Sequence, residues 1–196
     1  MKNICFFIVV ITFLGSCNNS NKAEPVPVVV AKDTTKSSQS FFPVTAYLKG
    51  QLFEFKRQGI SPIKFITIKN HTDSVWLKQE EVENAVKEFL TPVIDSINFT
   101  TLFTEKKFKD ETIETFTFTY EPAVPLPDSI ELRRWDVYID PEKNKVKRIY
   151  LVKEKKQNRT ILLTWLSDKW CTIVTIFNHP DGTSEVEKEE KISWNL

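Results

Sequence analysis

The stretch TILLTWLSDKWCTIVTIF, residues 160–177, decides the fold of this 196-residue chain. Two runs rich in β-branched and aromatic residues, 160–166 and 171–177, flank a short polar turn at 167–169. This pattern predicts two adjacent antiparallel strands. Both runs are apolar on both faces, whereas a strand with one solvated face alternates apolar and polar residues. We therefore expect the pair to lie at the centre of a larger sheet.

Similar runs before and after this pair extend the predicted sheet. Residues 115–120 alternate threonine with an aromatic residue, which is typical of a strand with one aromatic face. Polar segments that contain proline, glycine or asparagine, such as 140–145 and 179–182, separate the runs and suit turns. The strands predicted in this way cover residues 63–69, 115–120, 132–139, 146–153, 160–166, 171–177 and 185–194.

Helices are predicted in the first half of the chain. Residues 41–58 have the apolar spacing of an amphipathic helix. Its apolar face is formed by Val44, Tyr47, Leu48, Leu52 and Phe55. A second helix is predicted from about residue 74 to 90, because Pro92 ends or kinks a helix there. The apolar spacing of residues 93–108 favours a further short helix.

Together these elements predict an α+β domain, in which helices are segregated from an antiparallel sheet. The expected architecture is two or three N-terminal helices packed on a curved antiparallel β-meander of about five to six strands. Such helices can cover only one face of the sheet. The second face then requires sheet curvature, the proline-rich segment 122–127, a second subunit or a ligand.

Aromatic and cationic residues in the predicted strands are the candidates for a ligand-binding or partner-binding surface. A cation beside an aromatic ring can hold a carboxylate or a sugar. We predict a concave aromatic surface with arginine near its rim, drawn from Arg133, Trp135, Tyr138, Arg148, Tyr150, Trp165 and Trp170. The alternative is an edge strand on which an arginine stacks, with Trp135 in the core.

The sequence contains no recognisable catalytic, metal-binding or cofactor-binding motif. His71 and His179 both lie in polar turns, without a cysteine or carboxylate at metal-ligand spacing. Cys171 sits in an apolar strand and is predicted to be a buried, unreactive thiol. The net charge of +1 argues against a nucleic-acid partner. We therefore expect no metal, no cofactor and, on balance, no enzymatic activity.

The first 17 residues have the organisation of an export signal. Lys2 provides a positive start, and residues 4–14 are apolar except for Thr12. This stretch is too short to cross a bilayer as a helix, which needs roughly 20 apolar residues. Small residues then lead into Cys17.

The run Leu14-Gly15-Ser16-Cys17 resembles the lipobox of bacterial lipoproteins and is similar to those of Bacteroidota. The resemblance implies cleavage before Cys17 and attachment of diacylglycerol and further acyl chains, such as palmitate, to that residue. It also implies an outer-membrane protein that faces the periplasm, because Asn18 is not the aspartate that retains such proteins in the inner membrane. The alternative is an ordinary signal peptide with a chance cysteine.

Three segments follow from this interpretation: a signal peptide at 1–16, a lipidated cysteine with a solvated tether at 17–40, and a single globular domain at 41–196. The tether is rich in Asn, Ser, Lys, Thr and Pro and has no helical period. The expected function is a non-catalytic module that is anchored to the membrane through Cys17 and binds an envelope protein or a hydrophobic ligand. The alternatives are a cell-envelope hydrolase without a recognisable motif and a structural spacer.

Overall fold

The structure is a computed structural model that describes residues 40–112 and 114–194. The predicted signal peptide, Cys17 and almost all of the predicted tether lie outside the described residues. The described helices are α1 Val44–Arg57, α2 Gln79–Ala85 and α3 Lys87–Leu90. The described strands are β1 Ile63–Ile68, β2 His71–Trp76, β3 Phe103–Asp110, β4 Thr115–Pro122, β5 Leu132–Asp140, β6 Lys145–Lys155, β7 Arg159–Leu166, β8 Trp170–Asn178 and β9 Ser184–Ser193.

All nine strands form one antiparallel sheet, in the order β2-β1-β9-β8-β7-β6-β5-β4-β3. Strands β3 to β9 follow one another as a meander, and the hairpin β1–β2 adds to the free edge of β9. Strand β7 is the fifth of the nine, so the apolar stretch at residues 160–177 lies at the centre of the sheet as predicted.

The predicted fold class, helices on a meander of about five to six strands, is wrong. The sheet has nine strands and dominates the fold, whereas the three described helices have 14, 7 and 4 residues. The difference arises because β1 joins the same sheet and because the apolar pattern of the sequence does not reveal the two edge strands, β2 and β3.

Strand β2 occupies residues that were predicted as a polar turn and the start of a helix. All six of its residues are exposed, so it has no alternation of buried and exposed side chains. The turn lies immediately before the predicted one, at Lys69 and Asn70, whose φ angles are positive at 46° and 66°, respectively. Two consecutive residues of this kind form the two-residue turn that suits the twist of a hairpin.

Strand β3 replaces the end of the short helix that was predicted over residues 93–108. It pairs with β4 along eight residues, from Phe103 to Asp110. The strand carries five charged residues among eight. Charged side chains are common on edge strands because they oppose pairing with another chain. Because of these charges, the sequence of β3 lacks the alternation of apolar and polar residues by which a strand is predicted.

The hydrophobic core lies between the helices and one face of the sheet, which we call the inner face. From helix α1 it takes Val44, Leu48, Leu52 and Phe55, as predicted, while the predicted Tyr47 is only partly buried. The sheet contributes buried inner-face residues that include Tyr120, Trp135, Val137, Ile149, Leu151, Leu163, Trp165, Cys171 and Ile192. The strand register aligns these residues in rows across the sheet, for example Trp135 with Leu151 and Leu151 with Leu163.

A buried lysine on the inner face attaches helix α3 to strand β6. Lys153 is 1% exposed, and its Nζ donates to the backbone oxygens of Glu88 and Thr91 and to the Glu88 carboxylate at 3.0 Å. Burial lowers the pKa of Lys153, and Glu88 offsets only part of that effect. Burial also raises the pKa of Glu88, but Lys153 and Lys155 outweigh it and hold the pKa below its ordinary value.

Candidate functional site

The face of the sheet opposite the helices, which we call the outer face, is the first candidate site. Alternate residues of a strand lie on opposite faces, so the register places Thr117, Tyr138, Arg148, Leu166 and Trp170 in one row across strands β4 to β8. No apolar residue of this face belongs to the core cluster of the described residues.

Apolar and aromatic side chains cover much of the outer face. Those of the central strands are half-buried: Tyr138, Tyr150, Val152, Leu162, Leu166, Trp170, Val174 and Ile176. Larger exposed side chains, Trp76, Phe108 and Val186, lie on the flanking strands. Partly exposed apolar and aromatic side chains gathered on one face are typical of an interaction surface.

Charged groups lie among these aromatic residues. The guanidinium carbon of Arg148 lies 3.9 Å from the ring centre of Tyr138. Arg134 donates from Nε to both oxygens of Asp136, at 3.2 and 3.1 Å, and its Nη1 lies 3.4 Å from Glu121. Burial raises the pKa of Tyr150, and the neighbouring Asp136 raises it further. The arrangement pairs Asp136 with Arg134 and leaves Arg148 stacked on an aromatic ring.

Three threonines of β4 lie beside this cluster. Thr115, Thr117 and Thr119 are buried, and none of their Oγ1 atoms has a hydrogen-bond partner among the described residues. Thr117 is aligned with Tyr138 and Thr119 with Asp136. A buried hydroxyl without a partner costs free energy, so these three threonines are a local cost to the sheet and offer no accessible group to a ligand.

The predicted binding residues divide between the two faces. The structure brings Tyr138, Arg148 and Trp170 to the outer face in one row, and Tyr150, two residues from Arg148 along β6, lies on the same face. It does not bring Trp135 and Trp165 there, because both are core residues of the inner face. Alternation along the strands places Trp135 and Trp165 on the face opposite Tyr138 and Trp170, and the helices cover this inner face.

Arg133 lies apart from this surface. It is at a register shift between Leu132 and Arg134. Its Nε donates to Glu154 at 2.6 Å and its Nη1 donates to the backbone oxygen of Ile130 at 2.7 Å. These two contacts hold the loop before β5 against the end of β6, which is a structural role.

The second candidate site is a cavity of about 260 Å³ on the inner face, between helix α1 and the ends of strands β7 and β9. Its apolar wall is formed by Leu52, Phe55, Ile60, Val82, Trp165 and Trp194. Polar residues line the remainder: Gln51, Glu54, Gln58 and Asp168. Of the predicted binding residues, only Trp165 belongs to this cavity. No sequence signal indicated it, because its walls come from separate elements.

The groups that sequence reasoning considered for chemistry are not clustered. Cys171 is fully buried, and burial raises the pKa of its thiol far above the ordinary value. His71 lies near Asp73 on edge strand β2. Within residues 40–112 and 114–194, no three His, Cys, Asp or Glu side chains form a group that could hold a metal ion.

No protein-family model, no curated protein and no solved structure matches this chain. In the part of the chain that the structure describes, none of the helices combines the length and the apolar character needed to cross a membrane.

Proposed function

We propose that this chain is a lipoprotein of the cell envelope, anchored to the membrane through lipid on Cys17, and that its globular domain is a non-catalytic binding module. The outer sheet face is the surface that holds the partner. The observation that supports this proposal is a nine-stranded sheet whose helices pack on one side, with apolar and aromatic residues half-exposed on the other.

The composition of the outer face favours a protein partner. Tyrosine, tryptophan and arginine are the residues that contribute most often to binding energy at protein interfaces. Tyr138, Tyr150 and Trp170 occur there together with Arg148. The central strands add branched aliphatic side chains that can be desolvated at little cost. An envelope protein with a complementary apolar patch and an exposed carboxylate opposite Arg148 would fit this surface.

The anchor is tested by Cys17→Ser. We expect the variant to move from the membrane fraction to the soluble fraction or to stay unprocessed, because two or three acyl chains on one residue provide stable anchoring and the variant has none. The measurement is detergent phase partition together with metabolic labelling by palmitate. Cys5→Ser, which lies in the predicted signal, is the control and should behave as wild type. Full partition of Cys17→Ser into detergent with the electrophoretic mobility of the processed wild type would contradict the anchor.

The binding surface is tested by a photo-reactive amino acid introduced at single positions of the full chain in native membranes. We expect crosslinks to one partner protein from position 150 or 170 on the outer face. Position 53 is the control, because Phe53 is 64% exposed on helix α1, away from the outer face. Adding Tyr138→Ala to the position-170 variant should reduce that crosslink severalfold without a change in far-ultraviolet circular dichroism. If position 53 crosslinks to the partner as efficiently as positions 150 and 170, the outer face is not the binding surface.

A further inference from the structure

Strand β2 forms one edge of the sheet, and its free side lacks the groups that protect an edge strand from further pairing. All six of its residues are exposed, and none of them is lysine, arginine or proline. The strand at the other edge, β3, carries five charged residues among eight. An exposed edge strand with few charges is a template for pairing with another strand. The free side of β2 is therefore a candidate interface that uses the strand edge rather than the outer sheet face.

The register of the β1–β2 hairpin shows which backbone groups are directed to the free side. His71 is aligned with Ile68 across the two-residue turn, and the N–H of Leu77 donates to the backbone oxygen of Pro62 at 2.9 Å. Backbone groups of successive strand residues alternate in direction, so the odd-numbered residues of β2 bond to β1. The backbone N–H and C=O groups of residues 72, 74 and 76 are therefore directed away from β1, where no other described strand pairs with them.

We propose that the free edge of β2 pairs with β2 of a second copy of this chain, antiparallel and around a two-fold axis at Ser74. Ser74 then lies opposite Ser74 of the second copy, and Thr72 lies opposite the second copy's Trp76. Pairing of one surface with itself around a two-fold axis is the commonest form of homodimer. The two nine-stranded sheets become continuous, with both outer faces on the same side. This inference goes beyond the binding role of the outer face and does not depend on the anchor.

The residues of β2 complement one another around this axis. Trp76 is 58% exposed and would pack beside Thr72 of the second copy. Pairs of an aromatic and a β-branched residue stabilise antiparallel strands, whereas like charges directly opposite destabilise them. An axis at Asp73 would place two carboxylates opposite each other. An axis at Thr72 or Val75 would pair only three residues of each strand, 71–73 or 74–76, while the axis at Ser74 pairs all five of residues 72–76.

The apolar run at residues 26–30 of the same chain is a less suitable occupant of this edge. It contains Pro27, which has no N–H to donate to a neighbouring strand. The chain also enters the domain far from β2. Phe41 packs against Tyr120 and Trp135, with ring centres 4.9 and 6.0 Å apart, and these residues belong to β4 and β5 near the opposite edge of the sheet.

The axis is tested by Ser74→Cys in the full chain, oxidised in native membranes and analysed on a non-reducing gel. Residues of a hydrogen-bonded antiparallel pair have Cα atoms about 5.5 Å apart, within the range of about 4.4–6.8 Å that a disulfide requires. We therefore expect a disulfide-linked dimer. Thr72→Cys is the matched control, because Thr72 is exposed on the same face of the same strand. Its counterpart would lie four residues away along the strand, at about 13 Å, so the yield of dimer should be about tenfold lower.

A second variant tests the dimer without a crosslink. Ser74→Lys places like charges opposite each other at the axis, so the dissociation constant of the dimer should rise about tenfold or more. Native mass spectrometry of the detergent-solubilised full chain measures this change. Ser129→Lys, in the exposed loop between β4 and β5, is the matched control and should dimerise as wild type.

Three results would overturn the proposal. The first is that Ser74→Cys stays monomeric or forms no more dimer than Thr72→Cys. The second is that Ser74→Cys becomes linked to a different protein, because the occupant of the edge is then that protein. The third is that wild type is monomeric, or that Ser74→Lys dimerises as well as wild type.

Discussion

Trp135→Ala should lower the free energy of unfolding by about 3–5 kcal/mol, the range for truncating a buried tryptophan. Tyr138→Ala, three residues along the same strand, should cost about 1–2 kcal/mol, because this half-buried side chain loses only part of the burial of a core residue together with a cation–π contact. The two residues were predicted as members of one binding surface. The contrast between them tests the assignment of β5 to an inner and an outer face.

The size of the expected loss follows from the contacts of Trp135. Its side chain is 0% exposed. Its ring stacks on Tyr120 with centres 4.6 Å apart and planes inclined by 9°, and it packs against Phe103 at 4.8 Å. Phe41 and Phe99 contact the same ring from the segments before α1 and before β3. Removing the indole would leave a cavity where four other rings meet.

Urea denaturation followed by circular dichroism measures both values. Trp135→Phe is the conservative companion and should recover part of the loss, because it keeps an aromatic ring in contact with Tyr120. If Trp135→Ala and Tyr138→Ala have equal, small effects on the free energy of unfolding, the inner-face assignment of Trp135 is wrong.

Lys153→Met should cost about 1–3 kcal/mol of stability, the range for leaving buried hydrogen-bond acceptors without their donor. The methionine fills most of the volume but donates no hydrogen bond. The backbone oxygens of Glu88 and Thr91 would lose the donor that Lys153 Nζ supplies, and the Glu88 carboxylate would keep only Lys155. Helix α3 and the segment after it should therefore loosen first.

Lys155→Met is the matched control for this experiment. Lys155 contacts the same Glu88 carboxylate at 3.2 Å and also Glu131 at 2.6 Å. Its side chain is partly exposed, so its ion pairs are weakened by solvent and should contribute about 1 kcal/mol or less. Equal losses for the two variants would show that the burial of Lys153 is not the cause.

The pH dependence gives a second measurement on the same cluster. The pKa of Glu88 in the folded protein lies below the ordinary value of 4.5. Its stabilising contribution is therefore fully present above about pH 4.5 and is lost as the pH falls through the lowered folded-state pKa. Lys153→Met removes the main cation that lowers this pKa. The variant should therefore lose less stability than wild type between neutral pH and pH 3.

Local sequence patterns predicted the central part of the fold well. Strands β4 to β9 begin and end within about three residues of the predicted runs, because their side chains alternate or are continuously apolar. The edge strands were missed because β2 is exposed throughout and β3 is mostly charged. Backbone hydrogen bonds to β1 and β4, rather than a side-chain period, hold these two strands in the sheet.

The candidate sites were predictable only in part. Alternation along a strand separates Trp135 from Arg134 and Asp136, which form an ion pair on the outer face. It could not show which of the two faces the helices cover. The inner-face cavity was not predicted at all, since Phe55, Val82, Trp165 and Trp194 come from four separate elements.

The sequence by itself determined the runs of β1 and of β4 to β9 and the turns that connect β5 to β9, because these properties depend on neighbours within a few positions of the chain. Only the tertiary structure decided that the helices cover the Trp135 side, that Tyr138 and Trp170 remain on an open face, and that an aromatic cavity lies beside α1. These features depend on packing between distant segments. No local period of the chain encodes that packing.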